Sequence, residues 1–126
     1  MAADKKTILI VDDEPDMLTF LSTLFEDNGY ATVRARDGNE ALSKVKEKAP
    51  DLVTLDITMP NKSGVRFYRE MKESTVWRKV PVIIVTGVSR EFKTFISTRK
   101  QVPPPEGYLS KPIDNTEILN LVKKLA

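Results

Sequence analysis

Ile8-Leu9-Ile10-Val11 runs straight into Asp12-Asp13, and the way this apolar run stops decides how the chain folds. A short, uninterrupted β-branched run fits a strand buried on both faces of a parallel sheet. The same design recurs along the chain. Leu52-Val53-Thr54-Leu55 stops at Asp56, and Val82-Ile83-Ile84-Val85 stops at Thr86. Tyr108-Leu109-Ser110 leads into Lys111-Pro112. Acids, a hydroxyl and an amine therefore stand at the ends of separate predicted strands, where residues remote in sequence can converge.

Between these runs the period changes from strand-like to helical. Pro15 suits a first helical turn, with Asp13, Glu14 and Asp16 at its positive end. Met17, Leu18, Leu21, Leu24 and Phe25 recur at helical spacing, and Asn28-Gly29 closes the helix. Ala31, Val33 and Ala35 form a short second strand, ended by Asp37-Gly38. Ala41, Leu42, Val45 and Ala49 then mark a helical face that ends before Pro50. A turn-rich loop over residues 57–64 precedes a helix through Val65, Tyr68 and Met71-Lys72. A less regular helix is expected around Arg90–Lys100, followed by stiff Pro103-Pro104-Pro105. The last helix carries Ile118, Leu119, Leu121, Val122 and Leu125, and Asp114-Asn115-Thr116-Glu117 provides a capping box.

Five strands alternating with five helices predict an α/β fold, a doubly wound parallel sheet with helices on both faces. Ligands of such sheets bind outside the carboxyl ends of the strands, at the topological switch point. Asp12, Asp13, Asp56, Thr86 and Lys111 all fall at predicted carboxyl ends, so fold and residues indicate the same place.

Composition narrows the chemistry. At 126 residues the chain fits one domain with a real core. It contains neither cysteine nor histidine. Disulfides, thiolate or imidazole metal ligands, and histidine general-base catalysis are thereby excluded. A net charge of +2, with acids and bases interspersed, provides no basic stripe for binding nucleic acid directly. Lys44-Val45-Lys46-Glu47-Lys48 and Arg78-Lys79 read as solvated faces. The start lacks a signal-peptide core, and no apolar stretch approaches the ~20 residues that cross a bilayer. A cytoplasmic protein without membrane contact is the expectation.

Three carboxylates in one place require compensation. At an effective dielectric near 20, two like charges about 4 Å apart repel by roughly 4 kcal/mol. Lys111 supplies one positive charge, and a hard divalent cation held by oxygen ligands supplies two. That donor chemistry selects Mg²⁺, with Mn²⁺ as a substitute, and assigns Asp12 and Asp13 to the metal. Asp56 becomes the candidate nucleophile toward phosphorus, its product an acyl phosphate. Metal, ammonium and the Thr86 hydroxyl would neutralise the transferred group. Taken singly, each motif has a plainer role: a helix-end charge cluster, an Asx turn, a strand-ending turn, a surface loop. Their joint occurrence, each at a strand end, argues for one site.

With Ile10-Val11-Asp12-Asp13, Asp56 followed by Met59-Pro60 and Gly64, Val85-Thr86-Gly87 and Tyr108-Leu109-Ser110-Lys111-Pro112 in view, the chain resembles the receiver domain of two-component response regulators, the CheY-like family. The resemblance covers about residues 6 to 125. It implies a single receiver domain over 1–126, strand order 2-1-3-4-5, and phosphoryl transfer to Asp56 from a histidine kinase or phosphotransfer protein. Asp13 and Asp56 would ligate Mg²⁺ together with the backbone carbonyl of Thr58, with Asp12 acting mostly through water. Thr86 and Lys111 would contact the phosphoryl oxygens, Tyr108 would be the switch aromatic, and Lys111-Pro112 a cis peptide.

The same resemblance describes a signalling phosphoacceptor and no enzyme in the usual sense, catalysing only its own phosphorylation and slow dephosphorylation. Its output would be an unknown downstream protein, bound as a monomer or as a phosphorylation-linked dimer. The chain ends just after the last helix with no output domain. It either works alone, as chemotaxis-type receivers do, or belongs to a longer regulator. Two departures from the family pattern stand out. Val88 lies where many relatives carry a polar side chain near the attacking water, which implies slow loss of the phosphoryl group. The prolines of 100–107 imply a reshaped fourth helix or following loop, with Phe92, Phe95 and Ile96 read as core contacts. Two other classes compete. An aspartate-nucleophile phosphohydrolase would want an acid at position 58, where Thr58 stands. A phosphate-independent module would not need the intact acid, hydroxyl and lysine set.

Overall fold

The computed structural model describes residues 5–57, 63–86 and 105–126. Along the chain come β1 (Thr7–Val11), α1 (Pro15–Asp27), β2 (Ala31–Ala35), α2 (Gly38–Glu47), β3 (Leu52–Leu55), α3 (Ser63–Glu73), β4 (Val82–Thr86), β5 (Gly107–Ser110) and α4 (Asn115–Leu125). The strands form one sheet in the order β2-β1-β3-β4-β5, every neighbouring pair parallel. This is the doubly wound sheet expected from the alternation, in the strand order that the resemblance implies. Four helices lie among the described residues; the helix expected at 90–100 lies outside them.

Alternation along β1 shows why the sheet must be covered twice. Leu9 and Val11 join a core with Val53, Leu55, Val82 and Ile84, covered by Ala41 and Val45 of α2 and by Phe67, Tyr68 and Met71 of α3. Ile8 and Ile10 point to the opposite face. There they pack with Leu52, Ile83, Val85 and Leu109 under Leu18, Leu21 and Phe25 of α1 and Ile118 and Val122 of α4. Successive strand side chains alternate between faces, so an unbroken apolar run can be satisfied only by helices on both. Thr54 sits on the α1/α4 side, in register with Ile10. It is 1% exposed, and its hydroxyl has no hydrogen-bond partner among the described residues.

The helix ends follow their local chemistry. Pro15 occupies the first turn of α1. Gly29, just past that helix, has φ +92°, a conformation disfavoured for a residue with a Cβ. Asp37, two residues beyond β2, caps α2, its carboxylate accepting the Glu40 N–H at 2.8 Å. Asp114 does the same for α4, accepting the Glu117 N–H at 3.0 Å. Helix α2 stops at Glu47, two residues before the Ala49 included in its sequence-based face, because Lys48 already has extended backbone.

At the amino-terminal end of the sheet a lysine is buried. The Lys72 side chain is 1% exposed and pairs with Glu106, donating to both carboxylate oxygens at 2.8 Å. It also donates to the carbonyls of Val80 and Arg78 at 3.2 and 3.4 Å. Glu106 in turn accepts the Val82 N–H at 2.8 Å. Burial, and then the Glu106 charge, push the phenol of nearby Tyr68 well above the usual tyrosine range.

Candidate functional site

The carboxyl ends of β1 and β3 are adjacent because Val11 pairs with Leu55. The chain continues in register one step further, with the Asp56 N–H donating to the Val11 carbonyl at 2.9 Å. Asp12 leaves β1 in the same way on its other side, its N–H reaching the Ala35 carbonyl at 3.1 Å. The two carboxylates thus stand side by side, each residue 2% exposed. Asp12 also organises the turn into α1, since its Oδ1 accepts the Glu14 N–H at 2.9 Å. Asp13 is exposed beside it.

Lys111, one residue beyond β5, reaches across to this pair. Its Nζ lies 3.1 Å from Asp56 Oδ2, 3.3 Å from Asp12 Oδ2 and 3.0 Å from Glu14 Oε1. The Lys111-Pro112 peptide is cis. Residues 12, 56 and 111, chosen from sequence for standing at strand ends, are therefore in direct contact. Thr86 ends β4 in register with Ser110, so its backbone belongs to the same rim. Tyr108, in register with Ile84, is half-buried against the core beneath α3. Thr58 and Val88 lie outside the described residues, as do Phe92, Phe95 and Ile96.

Glu14 is the residue that sequence reasoning passed over. Sequence alone places it in the helix-end charge cluster, and it does occupy the cap position of α1. Its side chain nevertheless makes no capping hydrogen bond and turns to Lys111. The only sequence signal was its place directly after two site acids.

The electrostatics follow from the crowding. Burial, with the neighbouring Asp56 charge adding to it, raises the Asp12 carboxyl to about 6, while the Glu14 N–H and Lys111 hold it down. Burial alone would lower the Lys111 ammonium. Hydrogen bonds to Glu14 and Asp56, and the charges of Asp12 and Asp56, outweigh it and push the group above the usual lysine range. Asp12, Asp13, Glu14 and Asp56 each offer a carboxylate oxygen, and these oxygens lie within 4.8 Å of one another. A donor set made only of carboxylate oxygens fits a hard divalent cation.

Comparison with known proteins defines the class. The profile of the response regulator receiver domain matches residues 8–123, and the chain belongs to that family, the receivers of two-component signalling. Among its relatives, the polar-differentiation response regulator DivK of Brucella anthropi is 33% identical over 118 residues, which cover 94% of either chain. The alkaline phosphatase synthesis transcriptional regulatory protein PhoP of Bacillus subtilis is 30% identical over 120 residues. Those residues are 95% of this chain but only 48% of PhoP, so the chain spans about half of that relative. The chemotaxis response regulator CheY4 of Vibrio cholerae superposes with a TM-score of 0.82 at 27% identity, covering 97% of this chain and 99% of that one. Among the described residues no helix is long and apolar enough to cross a membrane.

Proposed function

We propose that Asp56 accepts a phosphoryl group and that the acid cluster and Lys111 make this transfer possible. The observation that carries the reading is the Lys111 ammonium, which bridges two buried carboxylates from different strands beside two further acids. An oxygen of Asp56 attacks phosphorus, and the bond from phosphorus to the donor's leaving group breaks as the acyl phosphate forms. Lys111 faces the oxygens that gain charge in the transition state, where fixed charge is most effective. Thr86, on the adjacent strand end, would add a hydroxyl to the same oxygens.

Asp12, Asp13, Asp56 and the Thr58 backbone carbonyl would hold Mg²⁺, or Mn²⁺ in its place. The ion supplies charge neutralisation to the transferring phosphoryl group. Asp12 contributes by holding its charge there at neutral pH, above its raised pKa. With no histidine among these residues, a phosphohistidine donor must come from elsewhere, on a histidine kinase or phosphotransfer protein. The phosphorylated state would then be read through Thr86 and Tyr108 and would bind a downstream protein, as a monomer or a phosphorylation-linked dimer in the cytoplasm. The role is that of a switch with no small-molecule turnover.

Incubation with acetyl phosphate and Mg²⁺, followed by intact-mass measurement, tests this directly. One added phosphoryl mass is expected in the wild type and none in Asp56→Asn. Equal labelling of both proteins would overturn the assignment.

A further inference from the structure

We infer that Glu14 is a positioning residue: it latches the Lys111 ammonium in the resting site and releases it to the incoming phosphoryl group. The inference rests on Asp56 being the acceptor. A lysine ammonium has three N–H donors. Here Nζ contacts three carboxylates, Glu14 at 3.0 Å, Asp56 at 3.1 Å and Asp12 at 3.3 Å. A phosphoryl oxygen arriving at Asp56 therefore finds no donor free, and one partner must give way.

Burial decides which. The Asp12 and Asp56 side chains are 3% and 2% exposed, whereas that of Glu14 is 62% exposed. Withdrawing the ammonium from a buried carboxylate strands a charge away from water. Withdrawing it from Glu14 returns that carboxylate to solvent at little cost.

A second observation points the same way. Glu14 stands at the cap of α1, yet its side chain accepts no hydrogen bond from the helix. The helix start is held by backbone instead, with the Glu14 carbonyl accepting the Met17 and Leu18 N–H groups and the Glu14 N–H bound to Asp12. The carboxylate is thus free to engage Lys111 without being needed by the helix, and its replacement leaves α1 intact.

Initial rates of phosphorylation by acetyl phosphate at saturating Mg²⁺ test the latch in wild type, Glu14→Gln and Glu14→Asp. Glu14→Gln removes the charge. Glu14→Asp keeps the charge but is one methylene too short for the contact. Both variants are expected to react about threefold faster, the scale of one exposed ion pair, and the ¹⁵N resonance of the Lys111 ammonium is expected to shift in both metal-free variants. Acceleration in Glu14→Gln alone would mean simple repulsion of the anionic donor and would overturn the latch. So would equal rates in all three proteins, or an unmoved ammonium signal. A wild type that gains no phosphoryl mass at all would instead defeat the assignment of Asp56.

Discussion

Asp12→Asn should make the metal-free protein more stable at neutral pH. Asp12 is 2% exposed, and burial together with the Asp56 charge raises its carboxyl from 3.8 to about 6. The native state therefore binds this proton more tightly than the unfolded chain does. Its stabilising contribution is full below about pH 4 and is lost as pH rises toward 6. With each pKa unit equivalent to about 1.4 kcal/mol, the loss at pH 7 is about 3 kcal/mol. Asparagine keeps an oxygen for the Glu14 N–H and carries no charge, so it escapes the loss. Urea denaturation in EDTA at pH 4, 5, 6 and 7, followed through the single tryptophan, Trp77, measures the difference. Carboxylates remote from Asp12 are shared by both proteins and cancel in the comparison. The stability gap should be near zero at pH 4 and open to about 3 kcal/mol by pH 7. A variant no more stable than wild type at pH 7 would refute the reasoning, because Asp12 would then bear no burial penalty.

Further outcomes follow from the same geometry. Mg²⁺ affinity should rise between pH 4 and pH 6 as Asp12 ionises, and calorimetry in buffers of different ionisation enthalpy should detect proton release on binding in that window. Lys72→Met should destabilise the fold by about 3 kcal/mol, the lower end for breaking a buried pair, since Glu106 keeps partial access to water. Adding Glu106→Gln should recover part of that loss, which denaturation of the single and double variants would show. Thr54→Val removes a buried hydroxyl that has no partner among the described residues and should raise stability by about 1 kcal/mol. A lower denaturation midpoint would mean that this hydroxyl is bonded after all.

Much of this was legible before any coordinates. Ile8–Val11, Leu52–Leu55 and Val82–Val85 are apolar at every position or nearly so, and only a sheet covered on both sides accommodates that. The site acids and Lys111 follow from the same logic, because each interrupts or follows an apolar run at a strand end. Lys111 was expected to offset the site acids, and it pairs with Asp12 and Asp56, but two other charge partnerships escaped notice. Glu14 reads as helix-end electrostatics until Lys111, 97 residues away, is seen at 3.0 Å. Lys72 fits an ordinary helical period, and nothing periodic links it to Glu106, 34 residues further on. Pairings of this kind are fixed by three-dimensional proximity, and no local pattern encodes them.

The Lys72–Glu106 pair also bears on how a signal could travel. It fastens the end of α3, the turn before β4 and the residue preceding β5 to one another, at the amino-terminal ends of β4 and β5, opposite the strand ends that carry the site. Glu106 is two residues from Tyr108, so the strand carrying that ring has a fixed fulcrum at its base. Displacement generated at the opposite rim would then swing β5 as a lever instead of sliding it along its neighbour.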